Sequence, residues 1–356
     1  MKKELGSLAK HRAYLGKPPK KGSVVPFPCN PAKVFATQVK GLAARLRAIR
    51  CRDVVIGLSG GLDSTLALLV ADAAFAKLKL DKRGIHIYAM PGFGTSKRTK
   101  GNAELLCEGL GLKLEFISIV KSVRQHLKDI GHDGRTPDVT YENAQARMRT
   151  MILMDKANMT GGIVLGTGDL SEIALGWSTY NGDHMSMFAV NNGVPKTVIR
   201  KVCAWWAEAA RTPLPHREVG RHKRGSGVLA ASAVEDIIAT PVSPELVKGQ
   251  VTEDKIGPYE LHDFFLWNFI MNEMGSKDLQ KAAERYFTVP SAPSPTGVGK
   301  IAFSRGLIAK TLRTFLWRFF TQAFKRNCQP DGIRVFPFEL SLRGWWIPSD
   351  LGFVKL

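Results

Sequence analysis

A short glycine-rich segment carries the residues best suited to chemistry. In VVIGLSGGLDST, residues 54–65, an apolar run leads through Ser59, Gly60 and Gly61 into a helix predicted to start near Asp63. Adjacent glycines let a ligand approach the backbone closely, and the free N–H groups of a helix start favour an anion. Asp63 would repel a phosphate unless a cation lies between them, which suggests Mg²⁺. The segment lacks the G-x-x-x-x-G-K-[ST] pattern of a Walker P-loop, so it predicts a nucleotide site of another kind.

Later stretches hold polar and aromatic side chains that suit the same ligand. Thr167 follows an apolar strand, at the carboxyl end where ligands collect in open α/β sheets. Glu172 adds a second carboxylate for the metal, Trp177 and Tyr180 could stack on a flat ring, and Lys196 suits a phosphate. Each has an ordinary alternative: a helix cap for Thr167, a helix-start acid for Glu172, core packing for both rings, and a solvated first-turn position for Lys196.

The elements that must position these residues alternate along the chain. Apolar strands are predicted at 53–58, 84–91, 113–119 and 162–166. Helices are predicted at 34–49, 63–79, 96–110, 120–130, 141–158 and 195–210. Because the strands are almost wholly apolar, the pattern predicts an α/β fold with a parallel sheet covered by helices on both faces. A basic amphipathic helix at 301–324 is expected to pack on the sheet or on a neighbouring subunit rather than on a membrane.

Composition excludes several classes of protein. The 356 residues are 44% hydrophobic, which is ample for a packed core and too apolar for a disordered chain. No apolar run reaches the ~20 residues of a membrane-spanning helix, and no secretory signal is recognisable. Five scattered cysteines argue against a disulfide framework and favour a reducing, cytoplasmic compartment. The formal charge of +20 leaves nucleic acid, a membrane surface and phosphorylated small molecules open as partners.

The glycine-rich segment resembles the pyrophosphate-binding loop (PP-loop) of the ATP pyrophosphatases, which split ATP between its α- and β-phosphates. With later stretches it is similar to the synthetase domain of NAD⁺ synthetases, of the bacterial glutamine-dependent type. The similarity extends from near Gln38 to near Asp350 and includes MPGFGTSKRTKGNA, TPVSPEL, KIGPYELHDFFL and FKRN-x-x-PDG. It implies an adenine-nucleotide alpha-hydrolase-like fold with a C-terminal helical extension.

The resemblance implies two ligand sites and one metal. ATP would be bound by Gly57, Leu58, Ser59, Gly60, Gly61, Leu62, Asp63, Ser64, Thr167 and Lys196. Deamido-NAD⁺ would be bound by Asn143, Arg147, Glu172, Trp177, Ser178, Thr179, Tyr180, Asp183 and Lys325. Mg²⁺ would lie on Asp63 and Glu172, which with Lys196 would be the catalytic residues. The nicotinate carboxylate would attack the α-phosphorus of ATP, and ammonia would then displace AMP to give NAD⁺.

The chain departs from the glutamine-dependent pattern in four places, one of which is a shorter stretch between Met274 and Thr311. Only about fifty residues precede the glycine-rich segment, too few for a glutaminase domain, so free ammonia or a separate glutaminase chain would supply nitrogen. The stretch YNGD is one residue shorter than the family pattern, which weakens the inferred roles of Arg147 and Asp183. RGWWIPSD near the C-terminus replaces R-G-D-W-R-x-P-S-D and lacks its acid and one base. The resemblance also implies a homodimer or a higher homo-oligomer.

Three regions are expected: a basic arm at 1–33, the synthetase domain at 34–260, and a helical extension and tail at 261–356 packed on the same domain. Loops rich in glycine, proline or basic residues interrupt them at 211–227 and 289–300. Two alternatives stay open. One is another PP-loop adenylating enzyme, GMP synthetase-like or tRNA-modifying, and the other is a basic nucleic-acid-binding protein on this scaffold. Nucleic acid is the less favoured partner, because ATP and a dinucleotide are polyanions that the motifs themselves suggest.

Overall fold

A computed structural model describes most of the chain, namely residues 24, 26–212, 226–243, 245–247, 249, 251–288 and 302–341. The predictions for most of the basic arm, for most of the 211–227 loop, for the 289–300 loop and for the RGWWIPSD stretch lie outside these residues.

Within the described residues, five parallel strands form one sheet in the order β3-β2-β1-β4-β5. The strands are β1 Val54–Gly57, β2 Ile85–Ala89, β3 Leu114–Phe116, β4 Ile163–Gly166 and β5 Phe188–Ala189. Val54 of β1 is paired with Ile85 on one side and with Ile163 on the other. The strand order therefore reverses between β1 and β4, and a crevice forms beyond their carboxyl ends. The predicted parallel α/β sheet is confirmed.

Twelve α-helices surround the sheet in the described part of the chain. They are α1 Pro31–Ala48, α2 Leu62–Leu78, α3 Lys97–Leu110, α4 Val120–Asp129, α5 Val139–Thr160, α6 Leu170–Leu175, α7 Lys196–Arg211, α8 Ser226–Ile238, α9 Thr252–Ile256, α10 Tyr259–Met271, α11 Ser276–Phe287 and α12 Arg305–Thr321. A 3₁₀ turn at Ala323–Cys328 follows α12. The predictions of α1 to α5 and α7 are confirmed, whereas β5, α6 and α8 to α11 were not predicted.

Alternate residues of β1 point into two separate cores, as expected for a sheet covered on both faces. Val54 and Ile56 belong to a large cluster that includes buried side chains of α1, α2 and α7. Val55 belongs to a smaller cluster with residues of α4 and α5. The helices thus hold β1 rigidly from both sides, and the loop that follows β1 is held with it.

The C-terminal helix α12 packs against α6, α10 and α11. Its buried face contains Ile308, Leu312, Phe315 and Phe319, and the Phe319 ring meets Phe269 of α10 edge-on at 5.4 Å. The predicted helix was too long at both ends, but its apolar face is buried in the protein. No helix of the described residues is long and apolar enough to cross a membrane. The proposed division at residue 260 stays a prediction; α10 runs across that position.

Candidate functional site

The glycine-rich segment turns sharply between β1 and α2. Gly60 has a φ of +77°, and a Cβ atom there would lie 2.3 Å from the carbonyl oxygen of Thr99 in α3, so only glycine fits. The hydroxyls of Ser59 and Ser64 lie 3.0 Å apart across the turn. Gly61 is the N-cap of α2, and no described side chain caps this helix, so its first N–H groups are open to an anion. The loop therefore has the shape and polarity of a phosphate site.

Three carboxylates and one lysine meet directly beside this loop. Oxygen atoms of Asp63, Asp169 and Glu172 lie within 4.8 Å of one another. The ammonium of Lys196 lies 2.5 Å from Asp63 Oδ2, 2.7 Å from Asp169 Oδ2 and 3.0 Å from Glu172 Oε1. The side chain of Lys196 is only 1% exposed. One buried cation thus faces three carboxylates, so the cluster carries an excess of negative charge when all three are ionised.

Helix starts place all four of these side chains. Asp63 lies in the first turn of α2, and Lys196 is the first residue of α7. Asp169 is the N-cap of α6: its carboxylate accepts the Glu172 N–H at 2.8 Å, and Glu172 Oε2 accepts the Asp169 N–H at 3.3 Å. This capping box holds both carboxylates of α6 in one geometry. Sequence reasoning missed Asp169, although the D-x-x-E spacing of a capping box could have revealed it.

Asn191 ties the start of α2 to the residue that follows β4. Its side-chain amide donates to the carbonyl oxygens of Asp63 at 2.8 Å and Thr167 at 3.1 Å. Gln38 of α1 donates in turn to the Asn191 side-chain oxygen at 2.9 Å. Both amide side chains are fully buried. The relative position of the phosphate loop and Thr167 is therefore fixed by a buried network that the sequence did not indicate.

The cluster shifts the pKa of its members strongly. Burial raises the pKa of Glu172 to about 7, with repulsion from Asp63 acting in the same direction and attraction by Lys196 opposing it. Burial likewise raises the pKa of Asp169, despite the same lysine. Burial alone would lower the pKa of Lys196, but attraction by Asp169, Asp63 and Glu172 outweighs it and holds that pKa well above its usual range. Lys196 is therefore charged, and a further positive charge beside the carboxylates would favour their ionised forms.

The donor set fits a hard divalent cation. Asp63 Oδ1 is buried and has no hydrogen-bond partner among the described residues. Carboxylate oxygens are the ligands that Mg²⁺ prefers in proteins, usually one or two together with phosphate oxygens. Asp63 and Glu172, the two metal ligands predicted from the sequence, lie together here, and Asp169 completes the group. The residues present thus suit Mg²⁺ next to a phosphate loop.

A cavity of about 620 Å³ opens over the cluster. The predicted site residues that line it are Gly57, Leu58, Ser59, Gly60, Gly61, Leu62, Asp63, Ser64, Asn143, Thr167, Glu172, Trp177, Ser178, Thr179, Asp183 and Lys325. Three predicted residues do not line it: Arg147, Tyr180 and Lys196. The lining also includes cations that the sequence did not indicate, namely Lys100, Arg149, Arg200, Lys255 and Arg318. The site roles assigned from the sequence stay predictions, but most of those residues share one space.

The loop after α6 forms one end of the cavity. The Thr179 hydroxyl donates to Asn143 Oδ1 at 2.7 Å, and the Thr179 N–H donates to Asp183 Oδ1 at 2.7 Å. Lys325 donates from Nζ to the carbonyl oxygen of Ser178 at 2.6 Å. Arg147 lies outside the cavity and donates to the carbonyl oxygen of Tyr180 at 3.3 Å. These contacts join α5, the loop and the 3₁₀ turn that follows α12 into one wall.

Three cationic side chains from the C-terminal region hold the end of α6. Arg326 donates to the Ala174 carbonyl oxygen at 3.2 Å, Arg318 to that of Leu175 at 2.9 Å, and Lys325 to that of Gly176 at 3.0 Å. The Arg318 guanidinium also lies 4.7 Å from the ring centroid of Trp177. Cations at a helix C-terminus and acids at its N-terminus both suit the helix dipole. The sequence did not assign a role to Arg318 or Arg326.

A family model and curated relatives both identify the same protein family. A family model described as NAD synthase matches residues 34–287. The chain is 38% identical over 339 residues to a glutamine-dependent NAD(+) synthetase of Mycobacterium bovis, covering 90% of this chain and 47% of that protein. It is 32% identical over 258 residues to the corresponding protein of Thermotoga maritima, covering 72% and 41%. The chain thus spans about half the length of these curated relatives.

Solved structures share the fold. A glutamine-dependent NAD(+) synthetase from Cytophaga hutchinsonii superimposes with a TM-score of 0.65 at 17% identity, covering 89% of this chain and 54% of that one. An NMN synthetase from Francisella tularensis superimposes with a TM-score of 0.55 at 23% identity, covering 72% and 92%. At these identities the structures support the architecture of the sheet and helices described above.

Proposed function

Because the chain belongs to the NAD synthase family, we propose that it converts deamido-NAD⁺ to NAD⁺ with ATP and ammonia. One observation carries the proposal. The phosphate loop, the carboxylate–lysine cluster and the Trp177–Thr179 stretch all face the same cavity or lie directly beneath it. A nucleoside triphosphate and a second ligand would therefore meet over Asp63 and Glu172. This is the arrangement that adenylation of a bound carboxylate needs.

The first step would be attack of the nicotinate carboxylate on the α-phosphorus of ATP, with pyrophosphate as the leaving group. The N–H groups at the start of α2 would stabilise the charge that develops on pyrophosphate. Asp63 and Glu172 would hold Mg²⁺, which when bound neutralises phosphate charge. Lys196 would fix the carboxylates and balance part of their charge. Its ammonium reaches a phosphate only if it leaves one of these three partners.

The second step would be attack of ammonia on the carbonyl carbon of the acyl-adenylate, with AMP as the leaving group. A carboxylate is a poor electrophile, and adenylation makes it a good one, so the step needs no side-chain nucleophile. Trp177 would stack on the pyridine ring, while Asn143, Thr179, Asp183 and Lys325 would hold the remainder of deamido-NAD⁺. Arg147 and Tyr180 would act from outside the cavity through the loop that they support.

The test is direct. Purified chain is incubated with ATP, Mg²⁺, deamido-NAD⁺ and ammonium, and AMP and NAD⁺ are quantified by chromatography. Equal amounts of both products are expected. Asp63→Ala should abolish both, whereas Asp278→Ala, at an exposed position in the first turn of α11, should leave turnover unchanged. Turnover of the Asp63 variant at the normal rate would refute the site assignment.

The nitrogen donor and the assembly belong to the same proposal. We expect ammonium to support turnover and glutamine to do so only with a separate glutaminase chain, which the same assay tests with either donor. A homodimer or a higher homo-oligomer is proposed from membership of the family. Light scattering at increasing protein concentration measures this. A cytoplasmic location fits the five free thiols.

A further inference from the structure

A cysteine and a histidine form a close pair beside the Trp177–Asp183 loop. Cys328 is the last residue of the 3₁₀ turn after α12 and is partly exposed. Its Sγ atom lies 3.0 Å from Nε2 of His184, which is buried. The other acceptor within reach of the thiol, the carbonyl oxygen of Lys325, is farther away at 3.4 Å. The thiol hydrogen is therefore best directed at the imidazole.

The backbone fixes the tautomer of this histidine. His184 Nδ1 lies 3.0 Å from the carbonyl oxygen of Thr179. A carbonyl oxygen only accepts hydrogen bonds, so Nδ1 carries the proton and Nε2 presents its lone pair to the sulfur. A nucleophile, a base in contact with it and a third group that orients the base form the arrangement by which proteins activate weak nucleophiles.

Neighbouring groups partly oppose the effect of burial on the Cys328 thiol. Asn181 and Tyr180 both act to lower the pKa of its thiol. Burial nevertheless raises the pKa of Cys328 and lowers the pKa of His184. The resting pair is therefore a neutral thiol and a neutral imidazole. The thiolate forms only as His184 takes the proton during attack.

The other four cysteines lack this combination. Cys51 Sγ lies against two carbonyl oxygens, at 3.1 Å from Asp53 and 3.8 Å from Gly161, and such acceptors repel a thiolate. Cys107 and Cys203 are buried, and burial raises the pKa of both thiols. Burial is also the main cause that raises the pKa of Cys29. Among these five cysteines, Cys328 is the one whose thiol contacts a histidine that can act as a base.

We propose that Cys328 is a nucleophilic thiol activated by His184 and a site of covalent modification by peroxides. Sγ attacks one peroxide oxygen, an S–O bond forms and the O–O bond breaks. The thiol proton passes to His184 Nε2 and from there to the leaving hydroxide, which departs as water. The sulfur is oxidised to a sulfenic acid and the peroxide is reduced.

The modification would act on the dinucleotide end of the cavity, a consequence that rests on the function proposed above. His184 contacts the sulfur from the end of the same loop that presents Trp177 and Thr179 to the cavity. An added oxygen on Sγ needs space within the 3.0 Å contact to His184. The loop is then displaced, so oxidation is expected to raise the KM for deamido-NAD⁺ more than the KM for ATP.

The experiment measures modification at each cysteine separately. The full chain is treated with hydrogen peroxide in the presence of dimedone, which traps sulfenic acids, and the rate at each cysteine is read by mass spectrometry. Cys328 should be trapped at least about tenfold faster than Cys51. His184→Gln should lower the Cys328 rate to that of Cys51, and Cys51→Ser is the matched control that leaves it unchanged. His184→Asn repeats the test should the glutamine variant fail to fold.

Two results would overturn the proposal: trapping of Cys328 no faster than Cys51 in the folded chain, or an unchanged Cys328 rate in both folded His184 variants. Trapping needs no turnover, so a chain inactive toward deamido-NAD⁺ would still give either answer. With an active chain, a peroxide-induced rise in KM that disappears in Cys328→Ser confirms the link to the cavity. A rise that persists in that variant refutes the link.

Discussion

Removal of the Lys196 ammonium should expose how much the carboxylate cluster depends on it. In Lys196→Met the side chain keeps its length and apolar stem, but Asp63, Asp169 and Glu172 lose their shared cation. The Asp169 side chain is 0% exposed and cannot regain water, whereas those of Asp63 and Glu172 are 20% and 22% exposed and can do so in part. The cost is therefore set mainly by one fully buried charge. Breaking such a pair destabilises a protein by ~3–5 kcal/mol.

The free energy of unfolding is measured by urea titration followed by far-UV circular dichroism. We expect Lys196→Met to lose ~3–5 kcal/mol relative to the unmodified chain. Lys201→Met, at a half-buried position of the same helix, should stay within ~0.5 kcal/mol. Adding Asp169→Asn to Lys196→Met removes the uncompensated buried charge and should restore at least ~1 kcal/mol.

Two outcomes would refute this reasoning. If Lys196→Met lost less than ~1 kcal/mol, the ammonium would not be balancing buried charge. If Asp169→Asn gave no recovery in the Lys196→Met background, the cost would come from packing around α7 instead.

Three further predictions test other parts of the site. Gly60→Ala should raise the KM for ATP about tenfold or more, because the added Cβ meets a backbone carbonyl oxygen. Gly111→Ala is the control, because its Cβ meets nothing within 4 Å, and it should leave this KM unchanged. Equal KM values for the two variants in steady-state assays would contradict the loop assignment. Arg318→Met should raise the KM for deamido-NAD⁺ about fivefold to thirtyfold, and the exposed Arg313→Met on the same helix should leave it unchanged. Burial lowers the pKa of His262 to about 4 from 6.5, so the folded state holds this imidazole in its neutral form. The stability that depends on the neutral form is complete above pH 6.5 and is lost as the pH falls toward 4. Urea titrations at pH 6.5 and pH 4 measure the fall in the free energy of unfolding between these values. His262→Leu should make that fall about 3 kcal/mol smaller. A fall as large as in the unmodified chain would contradict the burial argument.

The glycine-rich turn between β1 and α2 could be predicted because its information is local. Two adjacent glycines, an apolar strand before them and a helical pattern after them act within a dozen residues, and Gly60 meets a steric demand that no other residue satisfies. The parallel sheet was predictable for a related reason, since strands buried on both faces are apolar throughout. β5 escaped prediction because two residues carry no periodicity.

The remaining parts of the site depend on contacts between distant segments. Asn191 acts through its bonds to Asp63 and Thr167, and no local pattern marks it. Arg318 reaches Leu175 and Trp177 from a helix far along the chain, where it first looked like one basic residue among several. The helix α10 was missed because it is buried nearly all round, which removes the amphipathic period by which helices are recognised.

The cations at the end of α6 show that the end of the family model and the end of the structural unit are different positions in the chain. The match to the family model ends at residue 287, yet Arg318, Lys325 and Arg326 lie beyond it and satisfy carbonyl oxygens of the helix that carries Glu172. α6 is only six residues long, about 9 Å, so its two ends move as one body. The bounds of the family model therefore do not delimit the stretch of chain on which the proposed metal carboxylates depend. A fragment cut at the edge of the match would keep every proposed ligand of ATP and lose the anchors of Glu172.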